Sequence, residues 1–146
     1  MSVIQFRHAE SQPERLACFD LMRALRPHLA DAPAFAAQVQ RQAAAGYRLL
    51  AARQDAEVVG LAGYRLLENL LYGRFAYVDD LVVADGLRSH GIGQRLLDAV
   101  RDEAVRADCA YLVLDTGLAN AMAQRFYFRS GLLSKGLHFC QPIQAA

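Results

Sequence analysis

The stretch Asp80-Leu81-Val82-Val83-Ala84-Asp85-Gly86-Leu87-Arg88-Ser89-His90-Gly91-Ile92-Gly93-Gln94-Arg95-Leu96-Leu97 decides how this 146-residue chain is read. It begins as an apolar strand ending at Val83, crosses a loop with glycines at 86, 91 and 93, and opens a helix. A helix start leaves backbone N–H groups without intrahelical partners and carries the positive end of the dipole, so it attracts anions. Glycine lets a phosphate come close to the backbone because no Cβ intervenes. Arg88 adds a fixed cation whose fork matches phosphate oxygens. The loop therefore predicts a phosphate-bearing ligand, best a diphosphate. Two familiar phosphate loops do not fit. Gly86 and Gly91 have the Walker spacing, but Ile92-Gly93 stands where Lys-Ser/Thr is needed. The dinucleotide fingerprint fails because Gly91-x-Gly93 is followed by Leu96 where Gly or Ala is required. A kinase or a nicotinamide dehydrogenase is disfavoured.

Downstream, Leu96, Leu97, Val100, Ala104 and Ala107 line one face of an amphipathic helix, and Arg95, Asp98, Asp102 and Arg106 line the other. Tyr111 to Leu114 is a continuous apolar run, as expected of a strand covered on both faces. Asn120 to Ser130 reads as a helix closed by Gly131. Leu132 to Ile143 reads as one or two closing strands, broken at Lys135-Gly136. Upstream, Phe75 to Val83 is a strand after a turn at Tyr72-Gly73. Tyr47 to Arg53 and Glu57 to Leu67 form a hairpin through Gln54-Asp55-Ala56. Gly60 and Gly63 inside that second run mark a bulge or a close backbone approach. Val3 to Arg7 is a short strand. Ser11-Gln12-Pro13-Glu14 has capping-box spacing and starts a helix carrying Leu21, Met22 and Leu25 on one face, ended by Pro27. A second helix starts after Asp31, carries Phe35, Ala36, Val39 and Ala43, and stops at Gly46. Helices packed on a mixed, mostly antiparallel sheet follow from this order, an α/β (α+β) fold in one domain spanning residues 1–146.

Composition narrows the function. Hydrophobic residues make up 54% of the chain and charged residues 21%, a globular balance. The formal net charge is +1, which disfavours a protein that grips nucleic acid through phosphates. Cys18, Cys109 and Cys140 are odd in number and widely spaced, so a disulfide framework is not expected and a cytoplasmic location is. Cys109 and Cys140 read as buried small hydrophobes rather than nucleophiles. His8, His28, His90 and His138 lack zinc spacing, so no metal is expected. No apolar run approaches bilayer-spanning length, so no membrane partner is expected either.

Arg88-x-x-Gly91-x-Gly93 after an apolar strand resembles the acetyl-CoA signature of the GNAT superfamily of N-acetyltransferases. Asn120-x-x-Ala123-x-x-Phe126-Tyr127-x-x-x-Gly131-Leu132 resembles a second block of that family, at matching separation. The family often has Pro at the position of Asp85, Gly-Lys at Ser89-His90 and Phe at Leu132. The resemblance implies a GNAT-like acyl-CoA N-acyltransferase fold and acetyl-CoA as cosubstrate. Its pantetheine arm would lie between two splayed parallel strands, pairing with the main chain of Leu81, Val82 and Val83. The diphosphate would sit on the loop formed by Arg88, Ser89, His90, Gly91, Ile92, Gly93 and Gln94, and Asn120 would meet the pantetheine arm or its thiol end.

The chemistry implied is direct attack of a neutral amine on the thioester. An alkyl amine of pKa about 10.4 is neutral only about once in 2,500 molecules at pH 7. Asp79 and Asp80 are the candidates for taking the amine's proton, or for selecting the ammonium and lowering its pKa with a water relay. As strand neighbours they face opposite ways unless a bulge intervenes, and Asp79 matches the family position most often given to a water-linked base. Tyr127 would protonate the departing thiolate. A backbone N–H near Val82 or Val83 would stabilise the oxyanion. The expected acceptor is a primary amine of a small molecule or peptide, with the small molecule favoured. The competing reading is a catalytically silent acyl-CoA-binding sensor or interaction module. Arg125 and Arg129 read as a solvated helix face. Leu70, Leu71 and Tyr72 are expected to form the contact of a homodimer.

Overall fold

The computed structural model describes residues 3–144. Two compact units divide them after Leu114. The first holds a five-stranded sheet whose strands lie side by side in chain order: β1 (Ile4–His8), β2 (Tyr47–Gln54), β3 (Glu57–Asn69), β4 (Gly73–Val83) and β5 (Tyr111–Leu114). The pairs β1–β2, β2–β3 and β3–β4 are antiparallel, and β4–β5 is parallel. Gln54 pairs with Glu57 across a two-residue turn whose Asp55 takes φ 55°, a conformation that aspartate tolerates better than most side chains.

The register of β3 and β4 holds the detail that matters most. Gly63 pairs with Asp80, and its neighbour Tyr64 pairs with Val78, so Asp79 is the extra residue of a bulge. The bulge interrupts the alternation that would otherwise set Asp79 and Asp80 on opposite faces.

Four helices belong to this unit: α1 (Gln12–Ala17), α2 (Phe19–Leu25), α3 (Ala32–Ala44) and α4 (Ile92–Arg106). The capping box forms as expected. Ser11 Oγ accepts from the Glu14 N–H at 3.3 Å, and the Ser11 N–H donates to Glu14 Oε1 at 3.0 Å. The single helix expected from there to Leu25 is instead two, with a break at Cys18. The break re-aims the chain so that Phe19 and Met22 of α2 reach the core, whereas α1 buries no residue. Cys18 is itself fully buried, and burial pushes its thiol up to about 11.

The sheet is packed on both faces. Phe19, Met22, Phe35 and Val39 meet Leu49, Ala51, Leu61 and Val82 in one cluster. Strand alternation sends Leu50 and Ala52 to the opposite face. There a Cβ built on Gly60 would stand 2.8 Å from Leu96 Cδ1 and 3.0 Å from Ile92 Cγ2 of α4. Glycine at position 60 thus lets the first turns of α4 lie against the strand. Tyr111–Leu114 departs from expectation: β5 is the edge of the sheet and none of its residues is fully buried. Its apolar run reflects one covered side rather than two.

The second unit holds α5 (Ala121–Arg129). Asn120 caps it, accepting from the Ala123 N–H at 3.1 Å. Its other end closes as a Schellman turn. The Gly131 N–H bonds Phe128 O at 3.1 Å and the Leu132 N–H bonds Tyr127 O at 3.0 Å, with Gly131 at φ 91°. The strands expected over Leu132–Ile143 do not form, and that segment carries no helix or strand. An extended chain becomes a strand only with a hydrogen-bonding neighbour, and this segment has none among the described residues. Cys140 is accordingly exposed, against the burial expected of it.

Candidate active site

The glycine loop takes the form that its sequence suggests. After β4 the chain makes a 3-10 turn at Asp85–Leu87, then reaches Gly91, which caps α4 in the left-handed conformation at φ 76°. No side chain caps this helix start. Its first intrahelical bond runs from the Arg95 N–H to Gly91 O at 3.1 Å, so the N–H groups at Ile92, Gly93 and Gln94 precede the helical ladder. Ile92 buries its side chain against the sheet and offers the loop only its backbone. Ser89 and His90 are exposed. Arg88 is exposed as well and pairs with Asp85 at 2.7 Å. An ion pair between two such solvated groups is worth little, so the guanidinium remains available to an anion.

Beside the loop, β4 offers a stretch of open edge. The β4–β5 ladder covers four residue pairs and ends at Val78↔Leu114. Asp80 to Val83 keep strand partners on the β3 side alone, and Asp79 is the unpaired residue of the bulge. Val82 buries its side chain, while Leu81 and Val83 are half-buried. An extended ligand can add to such an edge as a strand does, through main-chain hydrogen bonds.

The two carboxylates sit at a cavity of about 350 Å³ whose walls include Met22, Arg26, Phe35, Tyr47, Asp79 and Asp80. That volume suits a small organic ligand. Asp80 is held from two sides: Arg26 Nε donates to Oδ1 at 3.0 Å, and the Tyr47 hydroxyl donates to Oδ2 at 2.8 Å. Arg26 also clamps the bulge itself, its Nη2 donating to Asp79 O at 2.8 Å. Asp79 receives both nitrogens of a different guanidinium, Arg65 Nε at 2.9 Å and Nη2 at 2.8 Å. This hydrogen-bonded pairing pushes the Arg65 pKa up. Burial, followed by the charge of Asp80, drives the Tyr47 phenol far above its ordinary value, so Tyr47 is a fixed donor at any physiological pH.

Sequence reasoning missed Arg26, Tyr47 and Arg65. One signal for Tyr47 was present in Gly63, where any Cβ would collide with the Tyr47 ring and hydroxyl and approach Asp80 Oδ2 to 2.8 Å. A glycine facing an acidic strand residue therefore marks the space through which a long side chain passes.

Asn120 and Tyr127 lie in the second unit. The Asn120 side-chain oxygen is engaged in the helix cap. Tyr127 is half-buried and packs edge-on against Phe126 with ring centroids 5.3 Å apart. Burial raises the Tyr127 phenol pKa, so it too stays protonated. Among the described residues no group of three His, Cys, Asp or Glu side chains could hold a metal ion, and no helix is long and apolar enough to cross a membrane.

Known proteins share this architecture. The model of the acetyltransferase (GNAT) family matches residues 15–132. An uncharacterised N-acetyltransferase of Bacillus subtilis, YhdJ, is 27% identical over 97% of this chain and all of its own. An IAA acetyltransferase of Azospirillum brasilense is 32% identical over 80% of this chain and 70% of its own. Among solved structures, the aminoglycoside N-acetyltransferase AAC(6')-Iy in complex with CoA superposes with a TM-score of 0.87 at 17% identity, covering 99% of this chain and 97% of that one.

Proposed function

The chain belongs to the acetyltransferase (GNAT) family, and on that premise we propose that it moves an acetyl group from acetyl-CoA to the primary amine of a small molecule, in a ternary complex and without an acetyl-enzyme. The observation that carries the proposal is the open edge of β4 from Asp79 to Val83, running from a carboxylate-lined cavity to an uncapped helix start. Pantetheine pairs with the main chain of Leu81, Val82 and Val83, and the diphosphate takes the N–H groups from Arg88 to Gln94 with the Arg88 guanidinium.

The acceptor occupies the cavity. Its nitrogen attacks the thioester carbonyl carbon, a C–N bond forms, the C–S bond breaks, and CoA leaves as the thiol. An N–H of β4 near Val82 or Val83 holds the developing oxyanion. The amine's proton leaves by way of the carboxylates and solvent. Asp80 is the better placed to bind the incoming ammonium, because both of its partners, Arg26 and Tyr47, line the cavity, whereas the partner of Asp79, Arg65, does not. With both of its oxygens already accepting hydrogen bonds, Asp80 acts by selecting and orienting the amine and Asp79 by holding the bulge and the water relay. Tyr127, kept protonated by burial, supplies the proton that the departing thiolate takes up.

A relative from Salmonella typhimurium named aminoalkylphosphonate N-acetyltransferase, 30% identical over 66% of this chain, and the size of the cavity favour a small acceptor over a protein terminus. An amine panel read by thiol release tests this. At least one small primary amine should give thiol release that depends on both substrates. Release from none of them, with acetyl-CoA bound, would leave an acyl-CoA-binding module and remove the transferase.

A further inference from the structure

The acceptor cavity has a charge balance that a bare ammonium does not satisfy. Asp79, Asp80 and Arg26 stand among its walls. Asp79 already receives both nitrogens of Arg65, and Asp80 pairs with Arg26 at 2.9 Å. Each carboxylate thus has its own guanidinium, and the formal sum is zero. A lone cation entering such a site gives up its water without a net countercharge to replace it.

The hydrogen bonds tell where a second charge would fit. A carboxylate offers about four acceptor positions. At Asp80, Oδ1 takes Arg26 Nε at 3.0 Å and Nη2 at 2.9 Å, and Oδ2 takes the Tyr47 hydroxyl at 2.8 Å. What remains for an incoming ammonium is the other lone pair of Oδ2. Arg26 has the opposite surplus. Its Nε and Nη2 are engaged by Asp80 and by the Asp79 carbonyl, whereas Nη1 has no partner among the described residues. The side chain is 42% exposed, so a ligand in the cavity can approach it. The backbone behind it is fixed: Arg26 closes α2, and its N–H bonds the carbonyl of the buried Met22 at 2.8 Å.

We propose that Arg26 determines acceptor specificity and that the acceptor is an amino carboxylate. The amine meets Asp80 Oδ2, the carboxylate meets Arg26 Nη1, and the short carbon chain between them lies on the apolar wall of Met22, Leu29, Phe35 and Val39. The inference rests on the transferase reading of this cavity and names the class of amine it takes. A zwitterion leaves the site neutral, with each added charge opposite one of the other sign. A doubly charged anion, such as a phosphate ester, would bring its extra charge to Asp79 and Asp80 with no further arginine or lysine on the lining to meet it.

Calorimetric titration of the protein saturated with CoA tests the inference without needing turnover. The probes are β-alanine, 4-aminobutanoate and 5-aminopentanoate, each against the alkylamine and the amino alcohol of the same length, together with aminopropyl phosphate. The best of the three carboxylates should bind at least tenfold more tightly than its alkylamine, its amino alcohol and the phosphate. Arg26→Gln should bring that carboxylate and its alkylamine within about threefold of each other, and Arg26→Lys, which keeps the charge, should restore part of the gap. Should Arg26→Gln fail to fold, the titrations of the unaltered chain still decide. Equal affinity for carboxylates and alkylamines, tighter binding of the phosphate, a preference that survives Arg26→Gln, or no binding by any probe would overturn the inference. Thiol release is read separately. Alkylamines turned over as efficiently as the carboxylates would sink the role of Arg26 and leave the transferase standing, whereas release from no amine would remove the transferase.

Discussion

Residues 3–114 and residues 115–144 are stabilised by different means. The first region lays α1–α3 on one face of a sheet and α4 on the other, with Leu61, Leu96, Leu97 and Val100 wholly out of water. The second buries no residue and holds its one helix by its ends, an Asn120 cap and a Schellman turn at Gly131. Caps contribute about 1 kcal/mol each, whereas burying one large apolar side chain contributes about 1.5–3 kcal/mol. The groups proposed to hold the substrates, the β4 edge and the clamped carboxylates, are all in the packed region, and Tyr127, the proposed proton donor, is in the other.

Substitutions can break this contrast. Leu96→Ala should cost about 3 kcal/mol of unfolding free energy, because it leaves a cavity under α4 at the contact with Gly60. Met122→Ala, at a position 71% exposed, should cost under about 0.5 kcal/mol by the same urea titration. Comparable losses at the two sites would end the distinction.

Within the packed region, Asp80→Asn should lower kcat/KM roughly 100-fold, about 2.7 kcal/mol, with acetyl-CoA affinity kept within about twofold. An unchanged kcat/KM would remove Asp80 from acceptor binding. In the other region, Tyr127→Phe should lower kcat at least about tenfold, again with little change in acetyl-CoA affinity. Equal turnover would cancel its acid role.

The smallest effect concerns pH. Hydrogen bonds from Ser11 hold the Glu14 carboxyl at about 2, below its ordinary 4.5. A depressed acid contributes stability that is fully present above its unfolded pKa and is lost as pH falls through the folded one. The melting temperature should therefore fall more steeply between pH 4.5 and 2 in the unaltered chain than in Glu14→Gln. Equal slopes would mean that the capping box is not formed in solution.

What could be read from the sequence was local. The capping box at Ser11 and Glu14, the glycine stop at Gly46, the hairpin at Asp55 and the loop at Gly91 each depend on a few neighbouring residues, and each formed. The carboxylate cluster was half legible. Asp79, Asp80 and Gly63 stood out, but Tyr47 is 33 positions from Asp80 and Arg26 is 54. Which distant side chain meets a given carboxylate depends on the strand register and on where α2 is aimed, and the break at Cys18 that aims it carries no glycine or proline signal. Leu132–Ile143 was misread for another reason. Its apolar residues alternate in part, but a strand requires a hydrogen-bonding partner, and the segment has none among the described residues.

The most direct test of the account is calorimetric titration with acetyl-CoA, with ATP and NAD as controls. Selective binding in the micromolar range, weakened by Arg88→Ala, is the predicted result. No heat of binding at millimolar acetyl-CoA would mean that the loop from Arg88 to Gly93 is only a turn, and would contradict the assignment of this edge and helix start as the acetyl-CoA site.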